Sequence, residues 1–349
     1  MRAVTVIPKT PSSATLAEIP EPDESEGSVL VETLAVGVCG TDAEIVHGDY
    51  GWSPPGRSAL VLGHESLGRV AEAPAGGELH AGDLVVCIVR RPDPVPCYAC
   101  AVGQWDACRN GQYTEHGIKE IDGFMRERYR SNPDALVKLE PSLSSLGVLL
   151  EPTTVVAKAW AQLEAIGNRA AWKPESCLVV GAGPIGLLAA LLARQRGLAV
   201  TVVDQVDKGL KPDLVAALGG TYHQGSLDSL KGSADVVIEC TGVPDLVLQS
   251  IAAAAIGGVV CLTGISPVGT SESADFGDIA RQMVLGNTTV VGSVNANRDH
   301  YEAGAQALHA ADPEWLGRLI TRRVPIEHFD QALQRSPDDV KVVIEIGAA

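Results

Sequence analysis

The sequence predicts an α/β chain of two lobes, a β-rich lobe followed by a doubly wound parallel sheet. Three observations carry that expectation. Up to about residue 150, short Val, Leu and Ile runs are bounded by Gly and Pro, as in 29–36, 68–72 and 83–89. From residue 176 the pattern becomes strand, Gly turn, helix, strand, repeated. The chain has 349 residues, 46% of them hydrophobic and 20% charged, so it can bury a sizeable core. Its length suits roughly two domains.

Along the chain, residues 1–9 are mixed and strand-like, unlike a secretion signal. After Glu151-Pro152 the apolar spacing of 155–166 predicts a helix. Strands follow at 176–180, 199–204, 235–239, 258–263 and 288–293, with helices near 184–196, 209–218, 244–255 and 276–286. Two more helices, 298–311 and 313–320, precede a last strand at 340–346. No internal repeat or low-complexity tract interrupts this order.

Composition excludes several function classes. A net charge of −16 argues against a general nucleic-acid binder, which needs a basic face, and disfavours docking on anionic lipid. The longest apolar stretch, 178–193, is broken by Gly181, Gly183, Pro184 and Gly186. It falls short of the roughly 20 residues a spanning helix needs. Eight cysteines without a secretion signal read as thiols or metal ligands, and the expected location is the cytoplasm. Thirty-seven glycines with only 4% aromatic residues suit an α/β protein that uses glycine at turns and nucleotide contacts.

Gly181-Ala182-Gly183-Pro184-Ile185-Gly186 is G-x-G-x-x-G between a strand and an apolar helix. The first glycine permits the tight turn, the second lets the backbone approach a pyrophosphate, and the third allows close helix–strand packing. The helix N-terminus offers N–H groups to the phosphates. Alone the motif is weak, but the next strand ends at Asp204, about 20 residues on, where a carboxylate accepts the ribose hydroxyls. This predicts a Rossmann lobe. Asp204 repels a 2′-phosphate and no Arg follows it directly, which favours NAD over NADP, although Lys208 and Lys211 stand nearby.

Cys39, the pair His64-Glu65, and Glu151 offer one thiolate, one imidazole and two carboxylates, a plausible zinc set with a position left for water or substrate. Cys-Gly-Thr-Asp at 39–42, Gly-His-Glu at 63–65, Gly-Asp-Leu-Val-Val at 82–86 and the glycine loop at 181–186 stand in an order and spacing that resembles the zinc-dependent medium-chain dehydrogenase superfamily. The resemblance covers essentially the whole chain. Residues 121–127, Leu136-Val137-Lys138, Leu150-Glu151-Pro152, and Gly292-Ser293-Val294-Asn295 followed by His300-Tyr301 look like its glucose 1-dehydrogenase branch.

That resemblance implies a GroES-like catalytic domain at 1–155, a Rossmann NAD-binding domain at 156–297, and a return to the catalytic domain at 298–349. It implies a catalytic zinc on Cys39, His64 and Glu151, with Glu65 a carboxylate able to enter or leave the shell. Thr41 takes the place of the hydroxyl that touches the reacting oxygen, with Glu44 and His47 as candidates further along a proton relay. Thr241 and Asn295 join the glycine loop and Asp204 as cofactor positions. Sugar-binding positions are Thr41, Glu115, Glu151, Asn295 and His300, since each buried hydroxyl left unpaired costs about 1–3 kcal/mol. Val89 and Val155 stand where some relatives place an Asn and an acid, which leaves the identity of the sugar open.

Cys97-x2-Cys100-x7-Cys108 has zinc-site spacing but supplies three thiolates where a structural zinc wants four ligands. The resembling family adds a Cys at the position held here by Pro94; Asp93, one residue earlier, carries a carboxylate. Three readings stand: zinc held by Asp93, Cys97, Cys100 and Cys108, a metal-free lobe, or redox-active thiols. Cys87, Cys177, Cys240 and Cys261 fall in or beside strands and read as core residues.

The expected reaction is hydride transfer from C1 of a glucose-like aldose to NAD, giving the lactone. Alternatives are the same chemistry on another sugar, a cyclitol or a secondary alcohol, and a non-catalytic nucleotide-binding protein. The expected assembly is a homodimer or homotetramer.

Overall fold

A computed structural model describes residues 1–267, 276–334 and 336–347. The chain forms two compact units, Met1–Glu151 with Ala296–Ala349, and Pro152–Asn295.

The first unit is built around the long strand Val29–Val38. It pairs antiparallel with Glu65–Glu72 on one side and Lys341–Glu345 on the other, and its early residues pair with Arg128–Ser131. Val29, Val31 and Val36 pack with Val4, Leu62, Phe124 and Tyr129 into one core. Phe124 lies between the rings of His116 and Tyr129, at 4.6 and 4.7 Å. The C-terminal strand Lys341–Glu345 lies between Val29–Val38 and the edge strand Ile320–Pro325, with Val342 opposite Val38 and Val343 opposite Gly37. Gly37 also faces Glu65, and a Cβ there would lie 2.0 Å from the Glu65 carboxylate. Only glycine leaves room for that acid inside the sheet.

The second unit is a six-stranded parallel sheet. Its order is Thr221–Gln224, Ala199–Asp204, Ser176–Val180, Ala234–Glu239, Ala254–Leu262 and Thr289–Gly292. Every neighbouring pair is parallel, as crossover helices require. The helices Pro184–Gln195, Leu210–Ala217, Pro244–Ala253 and Phe276–Gly286 stand close to the positions read from periodicity. Leu178, Val180, Val203, Val237 and Val260 form its core.

Among the strands that were not expected, two lie at sheet edges. Thr221–Gln224 is a four-residue polar edge strand, and Ile320–Pro325 carries two arginines and ends on Pro. Neither has the apolar run that marks a central strand, because an edge strand buries less. The helix expected at 155–166 begins at Leu150. Pro152 fits its first turn, where no N–H is needed. That early start puts Glu151 in the first turn.

Candidate active site

Strand ends and one helix start converge near Gly37. Cys39 is the N-cap of the helix Gly40–His47: its sulfur accepts the Thr41 N–H at 3.3 Å, and the Asp42 carboxylate accepts the Cys39 N–H at 2.9 Å. Glu65 opens the neighbouring strand and His64 stands immediately before it. Cys39 Sγ lies 3.1 Å from His64 Nε2, and ligand atoms of Cys39, His64 and Glu65 all fall within 4.8 Å of one another. Glu151 stands outside that tight group, although its charge acts on His64.

The electrostatics show an excess of negative charge. Burial alone would lower the His64 pKa, yet Cys39 and Asp42 raise it well above its ordinary value. Burial pushes Glu151 up to about 7, with Glu65 adding repulsion against the pull of His64. Buried Asp42 is raised as well, again chiefly by burial. His64 Nδ1 and Asp42 Oδ1 are 3.7 Å apart, both buried without a hydrogen-bond partner. A soft thiolate, an imidazole and two carboxylates in this balance fit a divalent cation such as zinc.

One member of the site was not visible in the sequence. Lys341, from the C-terminal strand, is fully buried and donates to both Glu65 oxygens at 2.7 and 2.6 Å and to the Val38 carbonyl at 3.2 Å. Burial works against its charge, but Glu65 and Cys39 outweigh it and the pKa is raised. Glu65 is therefore held by an ammonium on the sheet.

Of the other predicted positions in this unit, Thr41 is half-buried and Glu44 and His47 are exposed. Glu115, 6% exposed, pairs with Arg90, whose Nε and Nη2 both reach Oε1 at 3.1 and 3.0 Å. Arg90 was also missed, because an Arg beside Arg91 carries no distinguishing pattern. His300 caps its own helix: Nδ1 accepts the Asn297 N–H at 3.1 Å, which places the ring proton of neutral His300 on Nε2 as a donor. Val89 is buried and gives its N–H to the Tyr301 hydroxyl at 3.2 Å.

In the cysteine lobe, the sulfurs of Cys97, Cys100 and Cys108 lie within 4.8 Å of one another, without Asp93 in that group. Asp93 stays adjacent: its N–H bonds the Cys100 sulfur, Oδ1 accepts from Val95 N–H, and Oδ2 is buried without a hydrogen-bond partner. The N–H groups of Arg109 and Cys100 pull the Cys97 thiol down to about 6. Three sulfurs, thiolate-stabilising amides and an unpartnered carboxylate oxygen fit a bound metal. Cys87, Cys177 and Cys261 are buried and Cys240 is half-buried; burial pushes Cys240 and Cys261 up to about 12.

The nucleotide site lies in the second unit. Gly181 adopts φ +100°, and a Cβ on Gly186 would meet the Gly181 carbonyl at 1.8 Å. A Cβ on Gly183 would meet nothing within 4 Å, the open face a pyrophosphate needs. Gly183 caps the helix that Pro184 and Ile185 begin. A 720 Å³ cavity runs along this edge, lined among others by Gly181, Asp204, Ser226, Thr241 and Val243. Asp204 Oδ2 accepts the Ala182 N–H at 2.7 Å and meets Lys211 Nζ at 3.3 Å. Burial raises its pKa, but the Ala182 N–H and Lys211 outweigh that and the carboxyl is held below its ordinary value. Thr241 is braced by buried Glu239, which accepts the N–H groups of Thr241 and Gly242 at 2.6 and 3.0 Å. Asn295 adopts φ +66° at the end of this unit.

Comparison with known proteins agrees with this arrangement. Residues 25–141 match the alcohol dehydrogenase GroES-like domain, and residues 144–346 match the glucose dehydrogenase C-terminus. The chain belongs to the glucose dehydrogenase family of zinc-dependent medium-chain dehydrogenases. Among curated relatives, glucose 1-dehydrogenase of Thermoproteus tenax is 42% identical, with 99% of each chain covered. Glucose 1-dehydrogenase 1 of Caldivirga maquilingensis is 40% identical, again over 99% of each. The solved structure of Haloferax mediterranei glucose dehydrogenase in complex with NADP, Zn and gluconolactone superposes with a TM-score of 0.92 at 32% identity, covering all of both chains. The family's fold class, a GroES-like domain with a Rossmann parallel sheet, is the one expected. No helix among the described residues is long and apolar enough to cross a membrane.

Proposed function

We propose that this chain oxidises a glucose-like aldose at C1, with hydride passing to C4 of NAD, and releases the lactone. The observation that carries the reading is the Cys39–His64–Glu65 donor group, assembled by chain segments 25 residues apart in a family of glucose dehydrogenases. Cys39, His64 and Glu151 would hold zinc, with the Glu65 carboxylate beside them; the bonds from Lys341 to both its oxygens hold it in place, against the expectation that it moves in and out of the shell. When bound, zinc supplies Lewis acidity that makes the sugar hydroxyl more acidic and counters alkoxide charge.

The protein residues do the rest. Thr41 Oγ1 receives the C1 hydroxyl proton and passes it outward, where exposed Glu44 and His47 can take it on. Glu115 accepts from a sugar hydroxyl, and His300 Nε2 donates to a sugar oxygen. Asn295 contributes on the cofactor side. C1 loses a hydride and its hydroxyl loses a proton, so the two-electron oxidation balances without a further reagent.

In the nucleotide site Gly181, Gly183 and Gly186, with Pro184 and Ile185 starting the helix, would seat the pyrophosphate. Asp204 would take the ribose hydroxyls and Thr241 the wall beside the nicotinamide half. The ionised Asp204 carboxylate supports NAD over NADP. A second reading, NADP, is favoured by Lys211 against Asp204 and by the NADP in the Haloferax relative.

In the cysteine lobe Asp93 would complete a structural zinc with Cys97, Cys100 and Cys108. The proposed domains are 1–155 and 298–349 for catalysis and 156–297 for the nucleotide. Assembly as a homodimer or homotetramer is supported by the edge strand Thr289–Gly292 and by exposed Ile256, Val284 and Leu285 in the same unit. A panel of aldoses, polyols and secondary alcohols, followed by NADH absorbance, tests the substrate. Reduction with aldoses supports the reading; turnover confined to polyols or secondary alcohols refutes it.

A further inference from the structure

We propose that Arg90 is a positioning residue that couples the packing of the cysteine lobe to Glu115. The inference rests on the reading of Glu115 as a sugar contact. Arg90 and Glu115 face each other in register on the paired strands Arg90–Arg91 and Thr114–His116. Both side chains are 8% exposed, so water does not screen the pair. Nε and Nη2 converge on a single oxygen, Oε1, at 3.1 and 3.0 Å. On the opposite side, Nη1 points to the carbonyls of Trp105 and Asp106 at 3.4 and 3.3 Å. The Tyr113 ring stacks on the guanidinium with its centroid 3.6 Å from Cζ, and Lys119 sits 4.3 Å from the same ring. The guanidinium is thus fixed at both edges and on one face.

The two carbonyls are what make this a link. They belong to the short 3-10 turn Trp105–Ala107, which ends at Cys108, one of the three clustered sulfurs. Holding Cys108 in the lobe therefore holds the turn, the turn holds the guanidinium, and the guanidinium holds the Glu115 carboxylate. Bonds of 3.3–3.4 Å are already near the limit of a hydrogen bond, so a small shift of the turn breaks them. A lysine cannot replace the fork, because its single ammonium cannot serve Oε1 and both carbonyls in a fixed plane. Loosening the lobe then lowers sugar affinity without touching Cys39, His64 or Glu151.

The test is a cycle on the full-length, zinc-loaded protein, reading KM and kcat for glucose with metal content measured on each variant. Arg90→Lys is expected to raise KM about tenfold and to leave kcat within about twofold, since ground-state positioning is lost rather than chemistry. Cys108→Ser is expected to raise KM similarly while the catalytic metal is retained. The double variant should be no worse than either single, because one route is cut twice. Should Cys108→Ser not fold, Asp93→Ala replaces it in the cycle. Multiplying KM effects in the double variant would overturn the coupling. So would an unchanged KM in Arg90→Lys alongside a raised KM in Glu115→Gln. An unchanged KM in Glu115→Gln overturns the sugar-contact reading itself, and the coupling with it.

Discussion

Replacing Lys341 with Met is the most demanding perturbation of the catalytic unit. It removes two charge-assisted bonds, of 2.7 and 2.6 Å, from the Glu65 carboxylate and one of 3.2 Å from the Val38 carbonyl. The two side chains are 1% and 3% exposed, so water cannot take the place of the ammonium. Gly37 packs against Glu65 from the adjoining strand and leaves the acid no room to swing aside. Stripping one partner from a buried pair costs about 3–5 kcal/mol. For a folding unit of about 200 residues each kcal/mol moves the midpoint by roughly 2–4 °C, so Tm should fall by about 10 °C. Calorimetry of the wild type, Lys341→Met and the double variant Lys341→Met/Glu65→Gln measures this. The double variant should regain most of the loss, because both charges leave together. A Tm shift below about 2 °C for Lys341→Met, or a double variant as unstable as the single, would refute the argument.

The other predictions concern the nucleotide site and the cysteine lobe. Asp204→Ser should weaken NAD binding about tenfold and relax discrimination against NADP, as titration of both cofactors will show; wild-type preference for NADP contradicts the role given to this carboxylate. Because the folded-state pKa of Asp204 is depressed, its contribution is complete above the ordinary carboxylate range and is lost only as pH falls through the lower folded value. NAD affinity should therefore stay flat between pH 8 and pH 5, measured by fluorescence titration. Gly186→Ala would set a Cβ 1.8 Å from the Gly181 carbonyl, so NAD affinity should fall at least tenfold by the same titration. Asp93→Ala should release the lobe zinc in metal analysis, while unchanged zinc content would assign the fourth position to another group.

What was legible in the sequence is what is contiguous or periodic. The glycine loop, its strand and its helix lie within one stretch, and Asp204 follows at the distance one helix and one strand impose. The central parallel strands show as apolar runs because both faces of the sheet are covered there. The catalytic donors are spread along the chain, and it was the family's spacing, not their local pattern, that grouped Cys39, His64, Glu65 and Glu151. The fold brings donor atoms of the first three within 4.8 Å of one another and leaves Glu151 outside that group, a distinction no spacing reveals.

Lys341 was illegible for a physical reason. Its partner Glu65 lies 276 residues away, and the pairing depends on the C-terminal strand adding to the sheet beside Gly37. In sequence, Lys341 is a charged residue inside the strand expected at 340–346, with nothing to mark it as buried. The edge strands Thr221–Gln224 and Ile320–Pro325 were missed because polar residues such as Tyr222 and Arg322 are compatible with loops. The bond from the Asn297 N–H to His300 Nδ1, which fixes the ring tautomer, likewise depends on a helix start that spacing places only to within a few residues.

The most direct test of the account is glucose oxidation by purified protein with its metal removed and restored. NADH formation with D-glucose, abolished by chelation, recovered with zinc and lost in Cys39→Ser, is the predicted result. Zinc-dependent reduction of NAD by a secondary alcohol or polyol, with no turnover of any aldose, would contradict it.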